Sequence, residues 1–268
     1  MKIVVCIKQV PGTQDVKVDP NTGVLLRSGI ETKMNPYDLY ALETARKIKE
    51  RVGGLITVIT MGPPAAKAII EEAYSLGADA GLLITDRKFA GADVLATSLT
   101  LASGIKTIGD VDLILCGKQT TDGDTAQVGP AIAEYLNIPH VSWVLELLDV
   151  SEKDIIVKQD LGSHYANSSL PFPCLLTVEK DIFEPQLPSY LLKQAAKDRK
   201  IEVISLHDLD NNDETQYGLA GSPTQVEKIF EPETKADAIE FIGNSKDQAQ
   251  ALYSKLVQLK FVSKEDIV

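Results

Sequence analysis

Val111-Asp-Leu-Ile-Leu-Cys-Gly-Lys-Gln-Thr-Thr-Asp-Gly-Asp-Thr-Ala-Gln-Val-Gly-Pro130 runs from a short apolar strand, through a loop of small and polar residues, into a helix. A brief aliphatic run bounded by turn residues marks a strand buried on both faces. Three such runs lie upstream, Lys2-Ile-Val-Val-Cys-Ile7, Leu55-Ile-Thr-Val-Ile-Thr60 and Gly81-Leu-Leu-Ile-Thr85, and a further one is expected around Val141-Ser-Trp-Val144. Helical patterns separate them. This alternation, from Met1 to about Tyr135, predicts an α/β fold: a doubly wound, mostly parallel sheet with helices on both faces.

Ligands of open parallel sheets bind beyond the carboxyl ends of the strands, which makes the loop Gly117–Pro130 the first candidate site. Its small residues let a ligand approach the backbone, and amides at the following helix N-terminus suit phosphate oxygens. Asp122 and Asp124 oppose a phosphate unless they face ribose hydroxyls or cap the helix. Read by itself, Asp-Gly-Asp-Thr is equally well a helix-capping turn. No GxGxxG follows the first strand and no Walker lysine motif occurs, so neither a Rossmann fingerprint nor a P-loop is supported.

Working outward, Asp19-Pro-Asn-Thr-Gly23 is turn chemistry that predicts a small hairpin over Val16–Leu26. Asn35-Pro36 reads as an N-cap followed by Pro at the first helical position. The helix it opens carries Ala41, Leu42, Ala45 and Ile48 on one face and stops before Gly53-Gly54. Past Glu146 the pattern suggests strands of antiparallel character, Ile155–Gln159 and Cys174–Val178, then a Pro-containing stretch from Phe183 to Tyr190 and helical Leu191–Lys197. Leu206–Thr234 is polar and lacks a core period, which predicts an extended arm ending in an amphipathic helix through about Leu259. The expected organisation is therefore a nucleotide-binding α/β domain over residues 1–205 and an arm with a terminal helix over 206–268. The stripe Ala249, Leu252, Leu256 and Leu259 of that helix needs a partner surface.

With 27 Lys+Arg against 38 Asp+Glu, the net charge of -11 repels nucleic acid and anionic membrane alike. No basic-flanked apolar leader and no apolar run near the roughly 20 residues of a membrane span is visible, so a cytoplasmic protein is expected. Cys6, Cys116 and Cys174 form no CxxC pair, and His140, His164 and His207 follow no ligand spacing. No metal site is expected, and redox chemistry would need an organic cofactor.

Val5-Cys-Ile-Lys-Gln-Val-Pro11, Met34-Asn-Pro36, Met61-Gly-Pro63, the Gly117–Pro130 loop and Asp181-Ile-Phe-Glu-Pro185 resemble, in order and spacing, the electron transfer flavoprotein beta family. The resemblance covers essentially the whole chain. It implies an adenine nucleotide alpha hydrolase-like fold and a heterodimer with an alpha subunit, on which the C-terminal arm and helix would pack. Cofactor contacts are implied at Cys6, Asn35, Pro36, Tyr37, Asp38, Met61, Asp122, Gly123, Asp124, Thr125, Ala126, Gln127, Val128 and Gly129. The chemistry is suitable: Asn35 can pair with an adenine or phosphate edge, Met61 is a soft apolar surface, and Thr125 and Gln127 are donors. Cys6 reads equally well as a small core residue.

Members of that family hold either AMP or a second FAD at this site. The run Asp122–Pro130, in which Gly123 and Ala126 leave room for a diphosphate, and the run Lys88–Ser98 resemble the FAD-holding, bifurcating members. By that resemblance Phe89, Ala90, Gly91, Asp93 and Thr97 surround the isoalloxazine, the alternative being a helix capped by Asp93 with Gly91 merely close-packed. NADH is then the donor to the complex and ferredoxin or flavodoxin one acceptor, and no side chain of this chain is implied as catalytic. Family docking on a flavin-dependent acyl-CoA dehydrogenase or enoyl-CoA reductase maps onto Glu184, Pro185, Leu187, Tyr190, Leu191 and Lys193. Two prolines limit the entropy lost there, although the same Leu and Tyr side chains could fold back on the core. A non-bifurcating shuttle with AMP and a non-redox nucleotide-binding module remain open at this point.

Overall fold

Strand β1 (Lys2–Cys6) sends Ile3 and Val5 to one face and Val4 and Cys6 to the other, and all four are buried. A strand with two apolar faces needs cover on both, and the chain supplies it. In the computed structural model, which describes residues 1–12, 31–227 and 238–263, β1 lies inside a nine-stranded sheet. A short antiparallel pair, β2 (Gln9–Pro11) with β3 (Thr32–Met34), leads to helix α1 (Pro36–Val52). There follow β4 (Leu55–Met61), α2 (Lys67–Ser75), β5 (Ala80–Ile84), α3 (Val94–Ile108), β6 (Leu113–Gly117) and α4 (Val128–Leu136). Then come β7 (His140–Val150), β8 (Asp154–Asp160), β9 (Tyr165–Pro171), β10 (Cys174–Val178), α5 (Tyr190–Ala195), β11 (Glu202–Ile204) and α6 (Ser245–Gln258).

The sheet order is β11-β5-β4-β1-β6-β10-β7-β8-β9. Every pairing from β11 to β7 is parallel, and β8 and β9 add an antiparallel extension. Helices α1 and α2 cover one face with Ala41, Leu42, Ala45, Ile48, Ile69 and Ile70. Helices α3 and α4 cover the other with Leu101, Ala102, Ile105, Ile132 and Ala133. Two glycines permit that second layer to sit close. A Cβ on Gly104 would lie 2.3 Å from Ile84 Cδ1, and one on Gly129 would lie 2.5 Å from Thr177 Cγ2. The doubly wound architecture and the parallel sheet expected from the strand runs are thus present.

Three expectations need correction or placement. Cys174–Val178 is not antiparallel: β10 pairs in parallel with both β6 and β7 and is buried along its whole length. A short aliphatic run looks the same in either direction, and its neighbours here are set by the crossover from β9 rather than by its own residues. The hairpin expected over Val16–Leu26 lies outside the described residues. The polar stretch after Leu206 does not leave the α/β core at once, because Leu206, Leu209 and Tyr217 are buried against it. Tyr217, fully buried, sets its hydroxyl on Asn211 O at 2.6 Å and its ring edge-on to Phe89 at 5.6 Å.

The chain divides into two compact units, Met1–Lys228 and Ile229–Val268, later than the boundary that composition suggests. In the second unit, Asn244 caps α6 by accepting from the Lys246 and Asp247 amides, and Leu252 and Leu259 are exposed. Among the described residues no helix is long and apolar enough to cross a membrane.

The burial of Tyr217 is directly testable. Tyr217→Ala should lower unfolding free energy by about 3–5 kcal/mol, the range for deleting a large buried ring. Val226→Ala, at an exposed position, should change it by less than about 0.5 kcal/mol. Urea denaturation of both variants checks this; equal, small effects would mean that the stretch after Leu206 is not part of the core.

Candidate functional site

From β1 the chain winds outward through β4 to β5 in one direction, then returns to place β6 on the other side of β1. In sheets of this kind the reversal places a ligand crevice beyond the carboxyl ends of the two strands, here β1 and β6. Three segments meet there: Lys8 after β1, Asn35–Asp38 at the start of α1, and Gly117–Gln127 after β6.

Asn35 joins them. It occupies the N-cap position with Pro36 at the first helical position, as the sequence predicts, but its side chain does not cap the helix. Its Nδ2 instead donates to Gln119 O and to Asp38 Oδ1, each at 2.9 Å, and its Oδ1 accepts from Thr121 N at 3.2 Å. Its own backbone N donates to Lys8 O at 2.8 Å. Asp38 accepts from Lys8 N at 2.7 Å through Oδ2. Gly117 must be glycine here, since a Cβ would lie 2.6 Å from both Asp38 Oδ1 and the Tyr37 carbonyl carbon. Burial pushes the Asp38 carboxyl up to about 7, against hydrogen bonds from Asn35, Lys8 and Gly117 that pull it down.

The two carboxylates that seemed to oppose a phosphate are both engaged. Lys8 Nζ holds Asp122 at 2.7 and 2.8 Å, and the Gln119 side chain donates to Asp124. Burial would raise Asp122, but the Lys8 ammonium and the Thr120 hydroxyl outweigh it and hold the carboxyl below its usual range. Asp124 and Ala126 both adopt left-handed backbone, each with φ 55°. Gln127, at the N-cap position of α4, returns to right-handed φ, and no side chain caps that helix. Successive left- and right-handed residues can turn their amides to one side, a geometry that suits an anion, and here they lead into a helix N-terminus without a side-chain cap. By contrast, Asp93 caps α3 by accepting from Ala96 N at 3.1 Å.

Other expected residues fall differently. Cys6 ends β1 in register with Cys116 of β6, and both are buried; their mutual hydrogen bond, then burial, raise the Cys116 thiol. A buried thiol raised in this way is inert, and both side chains pack in the core between the sheet and its helices. Met61 ends β4 half-buried, one residue after Thr60, whose Oγ1 is buried without a hydrogen-bond partner. Gly129 is buried against the sheet, while residues 121–125 and Gln127 are exposed.

The segment Phe89–Asp93 is covered by the chain itself. Phe89 is a core residue against Tyr217, and Asp93 ties down Thr224 through both its amide and its hydroxyl. Gly91 has φ +73°, and a Cβ there would lie 3.2 Å from Leu219 Cβ, so the backbone demands glycine whatever binds nearby. Ala90, Gly91 and Leu95 remain exposed, and Thr97 is half-buried. Sequence reasoning missed Lys8, Gln119 and Thr120. Lys8 stood within a quoted motif, yet nothing in the sequence says that it meets Asp122, 114 positions away.

The stretch Glu184–Lys193 is pinned rather than folded inward. Gln186 lies on the Arg46 guanidinium, and Ser189 N donates to Ser75 O at 2.8 Å. Between and beyond these anchors Leu187, Tyr190 and Leu191 are 88%, 71% and 79% exposed. Glu184 and Lys193 are exposed as well, and Pro185 is half-buried.

Fold and crevice together define a doubly wound α/β protein whose candidate site is built on the loops at its strand-order reversal. Residues 22–209 match the electron transfer flavoprotein domain. The chain is 41% identical over 257 residues to the electron transfer flavoprotein subunit beta of Thermoanaerobacterium thermosaccharolyticum, covering 96% of this chain and 98% of that protein. It is 42% identical over 258 residues to the caffeyl-CoA reductase-Etf complex subunit CarD of Acetobacterium woodii, covering 96% and 98%. Protein FixA of Bradyrhizobium diazoefficiens is 39% identical over 258 residues, with 94% and 90% covered. The chain belongs to the electron transfer flavoprotein family.

The raised Asp38 carboxyl sets a pH dependence. Its folded value, about 7, exceeds the unfolded 3.8, so the folded state binds the extra proton between these values. Stability from this group is full below pH 3.8 and is lost as pH rises towards about 7, at about 1.4 kcal/mol per pH unit. Asp38→Asn is less stable throughout, because its amide turns a donor towards other donors, but it does not titrate. The stability gap between wild type and Asp38→Asn should therefore shrink from pH 5 to pH 8 in denaturant titrations; a constant gap would place the carboxyl's pKa outside that window.

Proposed function

We propose that this chain is the beta subunit of an electron transfer flavoprotein that holds FAD in the crevice between β1 and β6 and takes part in electron bifurcation. On this reading NADH is the donor, ferredoxin or flavodoxin one acceptor, and the FAD of an alpha subunit the route to an acyl-CoA dehydrogenase or enoyl-CoA reductase partner. The observation that carries the nucleotide assignment is the uncapped N-terminus of α4, preceded by left-handed Asp124 and Ala126 at the strand-order reversal. The bifurcating branch is supported by the likeness to CarD, named as part of a reductase-Etf complex.

The residues present fit a nucleotide diphosphate. The amides from Thr125 to Gly129 point no carboxylate cap at themselves, and the helix dipole favours an anion there. Thr125 and Gln127 add side-chain donors, and Met61 lies half-buried at the end of β4, an apolar surface for the base. For a flavin ring, exposed Ala90, Gly91 and Leu95 with Leu219 offer apolar surroundings; Phe89, turned to Tyr217, does not. When bound, the flavin accepts hydride and releases electrons singly, while the protein orients it and shields it. Leu187, Tyr190 and Leu191, displayed on a stretch held at Arg46 and Ser75, are apolar anchors suited to a dehydrogenase pocket.

Gly123→Asp separates folding from nucleotide binding. A Cβ at Gly123 meets only Thr120 Oγ1 at 3.6 Å, so the variant should fold normally. The added carboxylate, however, faces the proposed phosphates, and the purified pair with its alpha subunit should lose beta-site nucleotide. Wild type should carry two FAD per pair. Full nucleotide retention by Gly123→Asp would contradict the site, and one FAD with one AMP would contradict bifurcation alone.

Replacing both Leu187 and Tyr190 with Ala should leave stability within about 0.5 kcal/mol, because both are exposed. Transfer to the dehydrogenase should fall at least tenfold, with reduction of the isolated pair by NADH unchanged. Loss of both activities would make the loop structural.

A further inference from the structure

The Lys8–Asp122 ion pair has no structural task that other bonds do not already perform. The Lys8 backbone is fixed by Asp38 through its amide and by Asn35 through its carbonyl. The loop carrying Asp122 is fixed by Asn35 at Gln119 O and Thr121 N. The pair itself is exposed, with side-chain accessibilities of 44% and 34%, so it contributes little to stability. What it does is cancel charge at the mouth of a concavity suited to an anion. The neighbouring cation, Lys118, is engaged by Glu179 at 2.5 Å and stacked on Trp143 at 4.8 Å, so that among the described residues Lys8 is the ammonium that meets the loop, at Asp122.

We propose that Lys8 is a phosphate-binding residue of the nucleotide site and that Asp122 is its resting counter-ion: an incoming phosphate takes the place of the Asp122 carboxylate on Lys8 Nζ. The inference rests on the nucleotide reading above and deepens it. Exchange of one anion for another on a fixed ammonium keeps the local charge balanced, so an empty crevice exposes neither a bare lysine nor a bare carboxylate. It also explains why a loop with two aspartates can receive a diphosphate.

The test uses the full chain with its alpha subunit, stripped of beta-site nucleotide, and calorimetric titration with ADP and with adenosine. Asp122→Asn should bind ADP about tenfold more tightly than wild type, and Lys8→Met about tenfold more weakly, as expected for one charge-assisted hydrogen bond. Lys8→Arg should retain most of the affinity, and adenosine should bind all four proteins alike. Equal ADP affinity for wild type and Lys8→Met would overturn the proposal, as would changes of the same size with adenosine, which would place the pair in loop structure. A wild-type protein that binds neither ADP nor adenosine removes the nucleotide reading and this inference with it.

Discussion

A buried amide must have its hydrogen bonds satisfied, and the fully buried side chain of Asn35 satisfies its own by holding two separate segments together. Through Gln119 O, Thr121 N and Asp38 it ties the loop after β6 to the start of α1, while the Asn35 backbone N–H, on Lys8 O, ties both to the end of β1. Removing it would leave several buried donors and acceptors unpaired at once, each costing about 1–3 kcal/mol. The position of the loop from Gln119 to Gln127, and hence of the uncapped α4 N-terminus, follows from this one side chain. Gly117 is part of the same constraint, since any Cβ would push α1 away from β6.

The sheet was legible because buried parallel strands carry apolar residues on both faces, and β1, β4, β5 and β6 do so over most of their length. Direction was not legible for β10, whose five buried residues would serve a parallel or an antiparallel neighbour equally. Nor was the fate of Tyr217: one aromatic in a polar stretch has no period, and its burial depends on Phe89, which is 128 positions earlier by number. At the site, residue types that favour helix starts and turns were recognisable in Asn35-Pro36 and Asp122–Gly129. Their partners were not, because Asn35 bonds across 84 and 86 positions and Lys8 across 114. Local chemistry can be read from a chain, whereas pairings that depend on how far strands are separated cannot.

The chain is strongly acidic, with net charge -11, yet the nucleotide proposed for its candidate site is an anion. The structure reconciles the two by local means: backbone amides carry no net charge, the α4 dipole is oriented favourably, and each nearby carboxylate has a donor of its own. The proposed docking residues lie apart from the proposed nucleotide site. Leu187, Tyr190 and Leu191 stand on the stretch anchored to α1 and the end of α2, while the crevice is formed by loops after β1 and β6. On the proposed reading such a division is expected, since a bound cofactor rather than a side chain would perform the chemistry.

The central claim is that the amides leading into α4 receive the phosphates of an adenine nucleotide. Hydrogen–deuterium exchange of the heterodimer, compared with and without ADP, measures this most directly. The account predicts that added protection concentrates in Gln119–Gly129, with a smaller gain in Asn35–Asp38. Protection that spares Gln119–Gly129 and appears instead around Phe89–Asp93 or on the β8–β9 extension would contradict it.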